Sequence, residues 1–438
     1  MGLLSPPPEL WQKKRLPLTF NLVQKTGTGQ VTHVNNVGTS GASGKYMPYQ
    51  PHISVVIGTR PEAIKMAPVI HALAAAKDMS LSIISTGQHR EMLEQVLTLF
   101  ALEPDVDLHL MTPNQSLSSL TEKALNGLTG YLAQAKPDML LVQGDTTTVF
   151  AASLAAHYLG VKLGHVEAGL RSHDMANPFP EEANRRLTSV LTTLHFAPTP
   201  LARNELLKEG HDEAKIIVTG NTVVDALLRL SDRLGPGLAP HLTPLVGEAS
   251  RFVLVTSHRR ESWEHGLPDI CSAIGDLAAA FPDVSFIYPV HRNPRVRNVV
   301  FATLGNAPNI HLTDPLDYLS FVNLMRDATL FLTDSGGGQE EAPTFHTPVL
   351  VLRSVTERPE AARLGMAQLV GTDRALIVEK AAKLLSDEHA RQRMCQGSNP
   401  YGDGKAAERI VEALRRYLGG ETPILSDERQ FHPLEKIA

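Results

Sequence analysis

The sequence predicts an α/β protein made of two doubly wound, Rossmann-like domains that face each other across a cleft. Three observations lead to this prediction. Short apolar, β-branched runs alternate with longer amphipathic stretches, a pattern typical of parallel sheets whose strands are connected by helices. The runs are apolar on both faces, as expected for strands that helices cover on both sides. A Gly- and Pro-rich segment near the middle of the chain interrupts the alternation, which then starts again.

The first half of the chain supplies an N-terminal domain, which we assign to residues 51–222. Amphipathic segments such as 63–76 and 90–100 predict its connecting helices. Its predicted strands cover residues 53–58, 81–86, 139–144, 162–166, 194–197 and 216–219.

The second half supplies a C-terminal domain, which we assign to residues 223–398. Residues 234–249 are rich in Gly and Pro, and we interpret them as a loop or linker. A last helix is predicted at 405–418, after the turn Asn399-Pro400-Tyr401-Gly402. The predicted strands of this domain cover residues 252–257, 285–290, 310–313, 329–333 and 348–352.

The chain ends and the composition limit the possible classes of function. Residues 1–50 lack periodicity and carry a Gly-, Ser-, Thr- and Asn-rich stretch, which predicts a disordered or loosely attached extension, and residues 421–438 form a tail. The net charge of −5 argues against a general nucleic-acid binder. Cys271 and Cys395 lie far apart and predict neither a disulfide framework nor a metal site. Without a secretion signal or a membrane-length apolar run, we predict a cytoplasmic protein with no membrane partner.

A basic segment follows the first predicted strand. Arg60 and Lys65 lie near the start of a helix, because Pro61 suits the first helical turn. Cations beside the free N–H groups of a helix N-terminus suit a phosphate group. The alternative is that both side chains are ordinary surface charges.

Carboxylates follow two further strands of the same domain. Asp145 comes after the strand 139–144, and Glu167 comes after the strand 162–166. Glu181 stands at the start of the next helix, so parallel strands would bring all three to one edge of one sheet. Acid/base chemistry needs such groups in environments that separate their pKa values. The alternatives are that Asp145 caps a helix and that Glu167 forms a structural ion pair.

In the second domain, two strand ends carry the same His-Arg pair, at His258-Arg259 and at His291-Arg292. Either histidine could instead be a satisfied core residue. The strongest segment is Asp334-Ser335-Gly336-Gly337-Gly338, which joins a strand to a helix. Glycines allow close approach of backbone N–H groups, which predicts a cradle for a diphosphate, with Glu341 placed to accept ribose hydroxyls. The alternative is a tight Gly-rich turn, and the pattern is neither a P-loop nor GxGxxG.

Taken together, these segments resemble the non-hydrolysing UDP-N-acetylglucosamine 2-epimerases. The resemblance implies the two-domain GT-B glycosyltransferase-like fold, with segment 399–420 crossing back to complete the first domain. It also implies a homodimer, no cofactor, and UDP-N-acetylglucosamine as substrate in surface-polysaccharide biosynthesis. The likeness follows the chain in order through GTRPEAIKMAP, GQHREML, QGDTTT, HVEAGLR, FPEEANRR, TGNTVVDAL, SHRRE, YPVHRNP, DSGGGQEEAP, TERPEA, LVGTD and NPYGDG.

The resemblance also implies roles for individual residues. The implied activity is reversible C2 epimerisation of UDP-N-acetylglucosamine to UDP-N-acetylmannosamine, by elimination and re-addition of UDP through a 2-acetamidoglucal. The implied catalytic residues are Asp145, Glu167, Glu181 and His258. The implied UDP-binding residues are Arg60, Lys65, His258, Phe321, Ser335, Gly336, Gly337, Glu341 and Arg358. A second UDP-N-acetylglucosamine, as activator, would contact Gln88, Arg259 and His291.

Several alternatives stay open at this point. A GT-B-type UDP-sugar glycosyltransferase would use the same cradle and cleft, and an epimerase acting on a modified UDP-sugar would share the same motifs. A hydrolysing epimerase would release the free sugar, and a sensor of nucleotide sugars would bind without turnover. Leu316 replaces a Gln of a related enterobacterial sequence, which places one polar contact to uracil in doubt.

Overall fold

The computed structural model describes residues 49–87, 90–112, 115–247, 251–257, 259 and 266–433. Within these residues the chain forms two parallel sheets with helices between successive strands, which confirms the predicted α/β class. The predicted extension 1–50 lies almost wholly outside the described residues. In the described part of the chain, none of the helices combines the length and the apolar character needed to cross a bilayer.

The first sheet, as described, has the strand order β3-β2-β1-β4-β5-β6-β7. Its strands are β1 (His52–Ile57), β2 (Ser80–Ser85), β3 (Val106–Asp107), β4 (Met139–Gln143), β5 (Lys162–Val166), β6 (Leu194–Ala197) and β7 (Ile216–Val218). Its helices are α1 (Arg60–Ala75), α2 (Arg90–Leu99), α3 (Leu117–Ala135), α4 (Thr147–Tyr158), α5 (Glu181–Leu191), α6 (Pro200–Lys208) and α7 (Thr222–Ser231).

The second sheet, as described, has the order β10-β9-β8-β11-β12-β13. The short helix α8 (Thr243–Val246) interrupts the predicted linker. The strands are β8 (Arg251–Thr256), β9 (Val284–Pro289), β10 (Ile310–Thr313), β11 (Leu330–Thr333), β12 (Val349–Val351) and β13 (Ala367–Leu369). The remaining helices are α9 (Leu267–Ala280), α10 (Pro294–Leu304), α11 (Tyr318–Asp327), α12 (Gly336–Glu341), α13 (Glu360–Arg363), α14 (Arg374–Ser386), α15 (Glu388–Met394) and α16 (Ala406–Leu418).

The predicted strands are all present, and their ends agree with the structure to within about one residue. Central strands are mostly apolar because both faces pack on helices, and every residue of β4 and β11 is buried. The sequence reading missed β3 and β13. Both are short edge strands, and the two residues of β3 are not fully buried. Neither strand therefore carries a continuous apolar run.

The last helix returns to the first domain, where α16 packs on α1 and α7. Its start is held by Asp225 of α7, whose carboxylate accepts hydrogen bonds from the N–H groups of Ala406 and Ala407. Burial raises the pKa of Asp225 to about 6. The segment after α16 also docks, because Phe431 is buried and its N–H donates to the Val218 carbonyl at 2.8 Å.

The chain therefore crosses between the domains twice, once near α7 and once before α16. The two crossings touch, since the N–H of Asn221 donates to the Tyr401 carbonyl at 2.6 Å. The Tyr401 hydroxyl reaches into the second domain and donates to the Arg358 carbonyl at 2.9 Å. This contact matters because Arg358 is a predicted site residue.

Candidate active site in the cleft

The start of α1 is fixed by a reciprocal cap. The Thr59 side chain accepts from the N–H of Glu62, and the Glu62 carboxylate accepts from the N–H groups of Gly58 and Thr59. Glu62 also accepts a hydrogen bond from the Thr146 hydroxyl at 2.7 Å. Burial raises the pKa of Glu62 to about 7, although these hydrogen bonds favour its ionised form. This cap places Arg60 and Lys65 at the edge of the sheet that faces the cleft.

Lys65 joins the two domains. Its ammonium lies 2.7 Å from Glu167 Oε2 in the first domain and 2.9 Å from Glu340 Oε2 in the second. Burial alone would lower the pKa of Lys65, but the two carboxylates raise it. The lysine is therefore charged and held between the domains, rather than free on the surface.

Glu167 follows β5 in a left-handed backbone conformation, with φ of 66°, which is uncommon for a residue with a side chain. Its carboxylate accepts from the Gln143 amide and from Lys65, and it lies 3.5 Å from Arg358 Nη2. Burial raises the pKa of Glu167 against the opposing effect of these cations. A buried carboxyl with raised proton affinity is suited to move a proton near neutral pH.

Asp145 and Glu181 lie close together on the same edge of the first sheet. The Asp145 carboxylate pairs with the guanidinium of Arg185, and its carbonyl accepts from Asn184 Nδ2 at 2.9 Å. Glu181 Oε2 is buried without a hydrogen-bond partner among the described residues. Burial, followed by the nearby Asp145 carboxylate, raises the pKa of Glu181. The alternative in which Asp145 caps a helix is wrong, because the N-cap of α4 is Thr146, whose hydroxyl accepts from the Val149 N–H.

The three glycines of the second domain lie inside α12 rather than in a loop before it, and Ser335 is the N-cap. None of them adopts a positive φ, so unusual backbone angles are not their role. An added Cβ at Gly336 would lie 2.7 Å from Arg358 Nη1, and one at Gly338 would lie 2.7 Å from Phe331 Cε1. At Gly337 the nearest side-chain atom to an added Cβ would be Ser335 Oγ at 3.8 Å, an ordinary van der Waals distance, so this position is the least crowded of the three.

Glu341, at the end of α12, accepts from the Tyr318 hydroxyl at 2.8 Å, and burial raises its pKa. The Arg60 guanidinium lies 5.9 Å from the centre of the Tyr318 ring, so these residues of both domains meet at one place. Phe321 is half-buried and packs edge-on against Phe331, with ring centres 6.0 Å apart.

A cavity of about 740 Å³ opens beside Arg60 and Tyr318. It lies between the starts of α1 and α11 and the side of α2, and Arg233 lines it as well. None of the three carboxylates of the first sheet lines this cavity. The cavity therefore adjoins the end of the site that Glu341 occupies, away from the acid/base groups.

The remaining predicted residues fall into two groups. His258 and Gln88 lie outside the described residues. Arg259 is half-buried, and its N–H donates to Asp334 Oδ2 at 2.9 Å, beside the start of α12. His291 is exposed at the end of β9, and its Nδ1 accepts from the Asn293 N–H at 3.2 Å.

Sequence reasoning missed two buried carboxylates of the second domain, Glu340 and Glu357. Glu340 is bonded to Lys65 and Arg358, and Glu357 is bonded to Arg358 and to Arg353. The signal was present, because each is the sequence neighbour of a residue that was identified. Which member of the Glu340-Glu341 pair faces the other domain depends on the rotation of α12, which the sequence does not state.

Comparison with known proteins accounts for this arrangement. The family model described as UDP-N-acetylglucosamine 2-epimerase matches residues 71–415. The chain belongs to the UDP-N-acetylglucosamine 2-epimerase family. It is 51% identical over 369 residues to the UDP-N-acetylglucosamine 2-epimerase of Escherichia coli K12, covering 83% of this chain and 98% of that protein.

Two solved structures of this epimerase family support the fold. The UDP-GlcNAc 2-epimerase of Neisseria meningitidis bound to UDP-GlcNAc is 46% identical, with a TM-score of 0.80 over 83% of this chain and 99% of its own. The S. aureus MnaA–UDP co-structure is 44% identical, with a TM-score of 0.80 over 84% and 97%. The resemblance found in the motifs and the GT-B-like fold class are thereby confirmed.

Proposed function

We propose that this protein interconverts UDP-N-acetylglucosamine and UDP-N-acetylmannosamine by inverting C2 of the sugar. The observation that carries the proposal is the placement of Glu167, a buried carboxyl in contact with cations from both domains. Asp145 and Glu181 lie on the same edge, which supports a site with more than one proton-transfer group. The relatives named above are epimerases, and one of their structures holds UDP-GlcNAc.

The chemistry requires the leaving group as well as the proton. No carbonyl acidifies the C2 proton, so its simple removal would be too slow. In the proposed route a base takes the C2 proton, the C–H electron pair forms the C1–C2 double bond, and the C1–O bond breaks with its pair on UDP. The 2-acetamidoglucal then accepts a proton on the other face of C2, and UDP adds back to C1. The overall change is redox-neutral.

The residues divide between these two tasks. Asp145, Glu167 and Glu181 would handle protons, and the backbone at Gly337 with Ser335, Arg60 and His258 would stabilise charge on the departing diphosphate. Glu341 would accept from the ribose and Phe321 would pack on uracil. Phosphate contacts by Lys65 and Arg358 stay predictions, because in this structure both cations are engaged by buried carboxylates.

The test is incubation with UDP-N-acetylglucosamine in deuterated water, followed by proton NMR of the sugar. We expect the manno isomer to appear with deuterium at C2, because the proton that returns to C2 comes from a group in exchange with solvent. No isomer and no exchange, with UDP still bound, would contradict the proposal.

The same experiment separates the alternatives. Free N-acetylmannosamine as product would indicate a hydrolysing epimerase, and activity that appears only with an acceptor would indicate a glycosyltransferase. Exchange seen only with an oxidised UDP-sugar would indicate a modified substrate. A homodimer, a cytoplasmic location and a second UDP-N-acetylglucosamine as activator at Gln88, Arg259 and His291 stay predictions of the resemblance.

A further inference from the structure

Glu340 occupies a position that no role assigned so far explains. It is almost fully buried, at 1% exposed, near the end of α12. Its Oε2 accepts from Lys65 at 2.9 Å, and its Oε1 accepts from Arg358 Nε. Both of these cations also contact Glu167. Two carboxylates, one from each domain, therefore share the same two cations.

The balance of charge around Glu167 depends on this sharing. Lys65 reaches Glu167 from α1, the neutral Gln143 from β4, and Arg358 from the segment after β12. Glu340 bonds to both Lys65 and Arg358, whereas Glu357 bonds to Arg358 and, on its far side, to Arg353 at 2.9 Å. With Glu340 ionised, part of the positive charge of Lys65 and Arg358 is already offset before Glu167 gives up its proton.

Removal of the Glu340 charge would change that balance. Lys65 and Arg358 would then have less negative charge beside them, and ionisation of Glu167 would offset more of their positive charge. A buried site with low polarisability favours the neutral total strongly. Glu167 would then hold its proton less tightly and would stay more often as an ionised partner of the two cations, which is less suitable for a group that must exchange a proton.

We propose that Glu340 is a positioning residue for the epimerisation. By sharing Lys65 and Arg358 across the cleft, Glu340 orients Glu167 and keeps the two cations from locking it in its ionised form. Glu340 itself touches no reacting atom in this scheme. The proposal rests on the proposed function, because it assumes that Glu167 transfers a proton.

The test compares the pH profile of kcat/KM for the wild type with those of Glu340→Gln and Glu340→Asp. In Glu340→Gln the limb of the profile that reports Glu167 should move to lower pH by about one pH unit, the effect of one nearby charge. Glu340→Asp keeps the charge, so it should keep the position of the limb even where its turnover is lower.

Glu360→Gln is the matched control. Glu360 is also a buried carboxylate that crosses the cleft, since it accepts from the Thr199 hydroxyl at 2.6 Å, but it has no hydrogen bond to Lys65 or Arg358 among the described contacts. We expect its pH profile to match that of the wild type. A purely structural role for Glu340 would lower its activity equally at all pH values.

Failures of the two proposals are distinguishable. A wild type that shows no C2 exchange would overturn the proposed function, whereas an active wild type with an unmoved limb in Glu340→Gln would overturn the role of Glu340. If Glu340→Gln does not fold, Lys65→Met tests the same balance of charge around Glu167 by removing a cation instead of an anion. Loss of that cation should move the limb to higher pH, and an unmoved limb there would also contradict the proposal.

Discussion

Glu167 and Asp145 follow neighbouring strands of one sheet, yet their surroundings differ. The Glu167 side chain is 5% exposed and is held by Lys65 from its own domain and Arg358 from the other. The Asp145 side chain is 26% exposed, and its partner Arg185 comes from the same domain. The contact of Glu167 with Arg358 thus exists only when the two domains meet, whereas the pairing of Asp145 with Arg185 lies within one domain.

This difference indicates how a two-domain enzyme can time its chemistry. A carboxyl that receives one of its two cations from the second domain gains its working proton affinity only on closure, when water is excluded from the cleft. A carboxyl served by its own domain is ready beforehand. The following predictions test whether the two groups act in these different ways, beginning with the largest effect.

Replacement of either carboxylate by its amide should have the largest effect. Glu167→Gln and Asp145→Asn should each lower kcat by about 100-fold or more, the usual contribution of a proton-transfer group. UDP affinity, measured by calorimetry, should change by no more than about threefold, because neither group is among the residues proposed to hold UDP. Loss of UDP binding with turnover preserved would show that these assignments are wrong.

The two arginine partners distinguish the regions through domain closure. Arg185→Met leaves the buried Glu182 without its cation and should lower the free energy of unfolding by about 3–5 kcal/mol. Arg358→Met removes one of the two cations that Glu167, Glu340 and Glu357 each contact, so it should lower the free energy of unfolding as well. Only Arg358→Met should also increase the radius of gyration in small-angle X-ray scattering, because only Arg358 bonds across the cleft. An equal increase in the radius of gyration of both variants would contradict the proposed difference between the partners of Glu167 and Asp145.

The pH dependence of stability tests the cap beneath Asp145. Burial holds the pKa of Glu62 at about 7, above its unfolded value of 4.5, so the unfolded chain releases this proton first as pH rises. The contribution of Glu62 to the free energy of unfolding should fall by about 3 kcal/mol between these pH values and stay constant above them.

Glu62→Gln should abolish that fall, since the amide oxygen can still accept from Gly58 and Thr59 while its NH2 group faces the Thr146 hydroxyl. The measurement is the difference in thermal midpoint between variant and wild type from pH 4 to pH 8, which cancels other titrating groups. A difference that does not change with pH would contradict the raised pKa.

The smallest effect is expected at the nucleotide end. Tyr318→Phe removes one hydrogen bond to Glu341 and should weaken UDP binding about 2- to 10-fold, the value of a single such bond. Because Tyr318 lies away from the proton-transfer groups, kcat at saturating substrate should stay within about twofold. A large fall in kcat with unchanged UDP affinity would place Tyr318 in the chemistry instead.

Much of the architecture could be predicted because it follows from local patterns. Strands covered on both faces are continuous apolar runs, and the ionisable residues that end them are recognisable from position alone, as for Asp145 and Glu167. The edge strands β3 and β13 could not be predicted in this way, since a strand of two or three partly exposed residues leaves no periodic signal.

The contacts across the cleft could not be predicted either. Glu340 and Lys65 are 275 positions apart, and their contact depends on the orientation of two whole domains. The position of the α4 cap depended on a single residue, and Thr146 occupies the place that Asp145 could have filled. The sequence singled out the glycines of α12 for their backbone angles, but Gly336 and Gly338 instead allow close packing on Arg358 and Phe331.

The hydrogen bond between Asn221 and Tyr401 has a mechanical consequence. Both connections leave the second domain through that one point, so we expect the domain to turn about it rather than to slide along its neighbour. The Tyr401 hydroxyl ties the same point to the backbone of Arg358. A sugar nucleotide that draws the two sheet edges together would then rotate the second domain about this crossing. Arg358 and Glu340 would move with that domain.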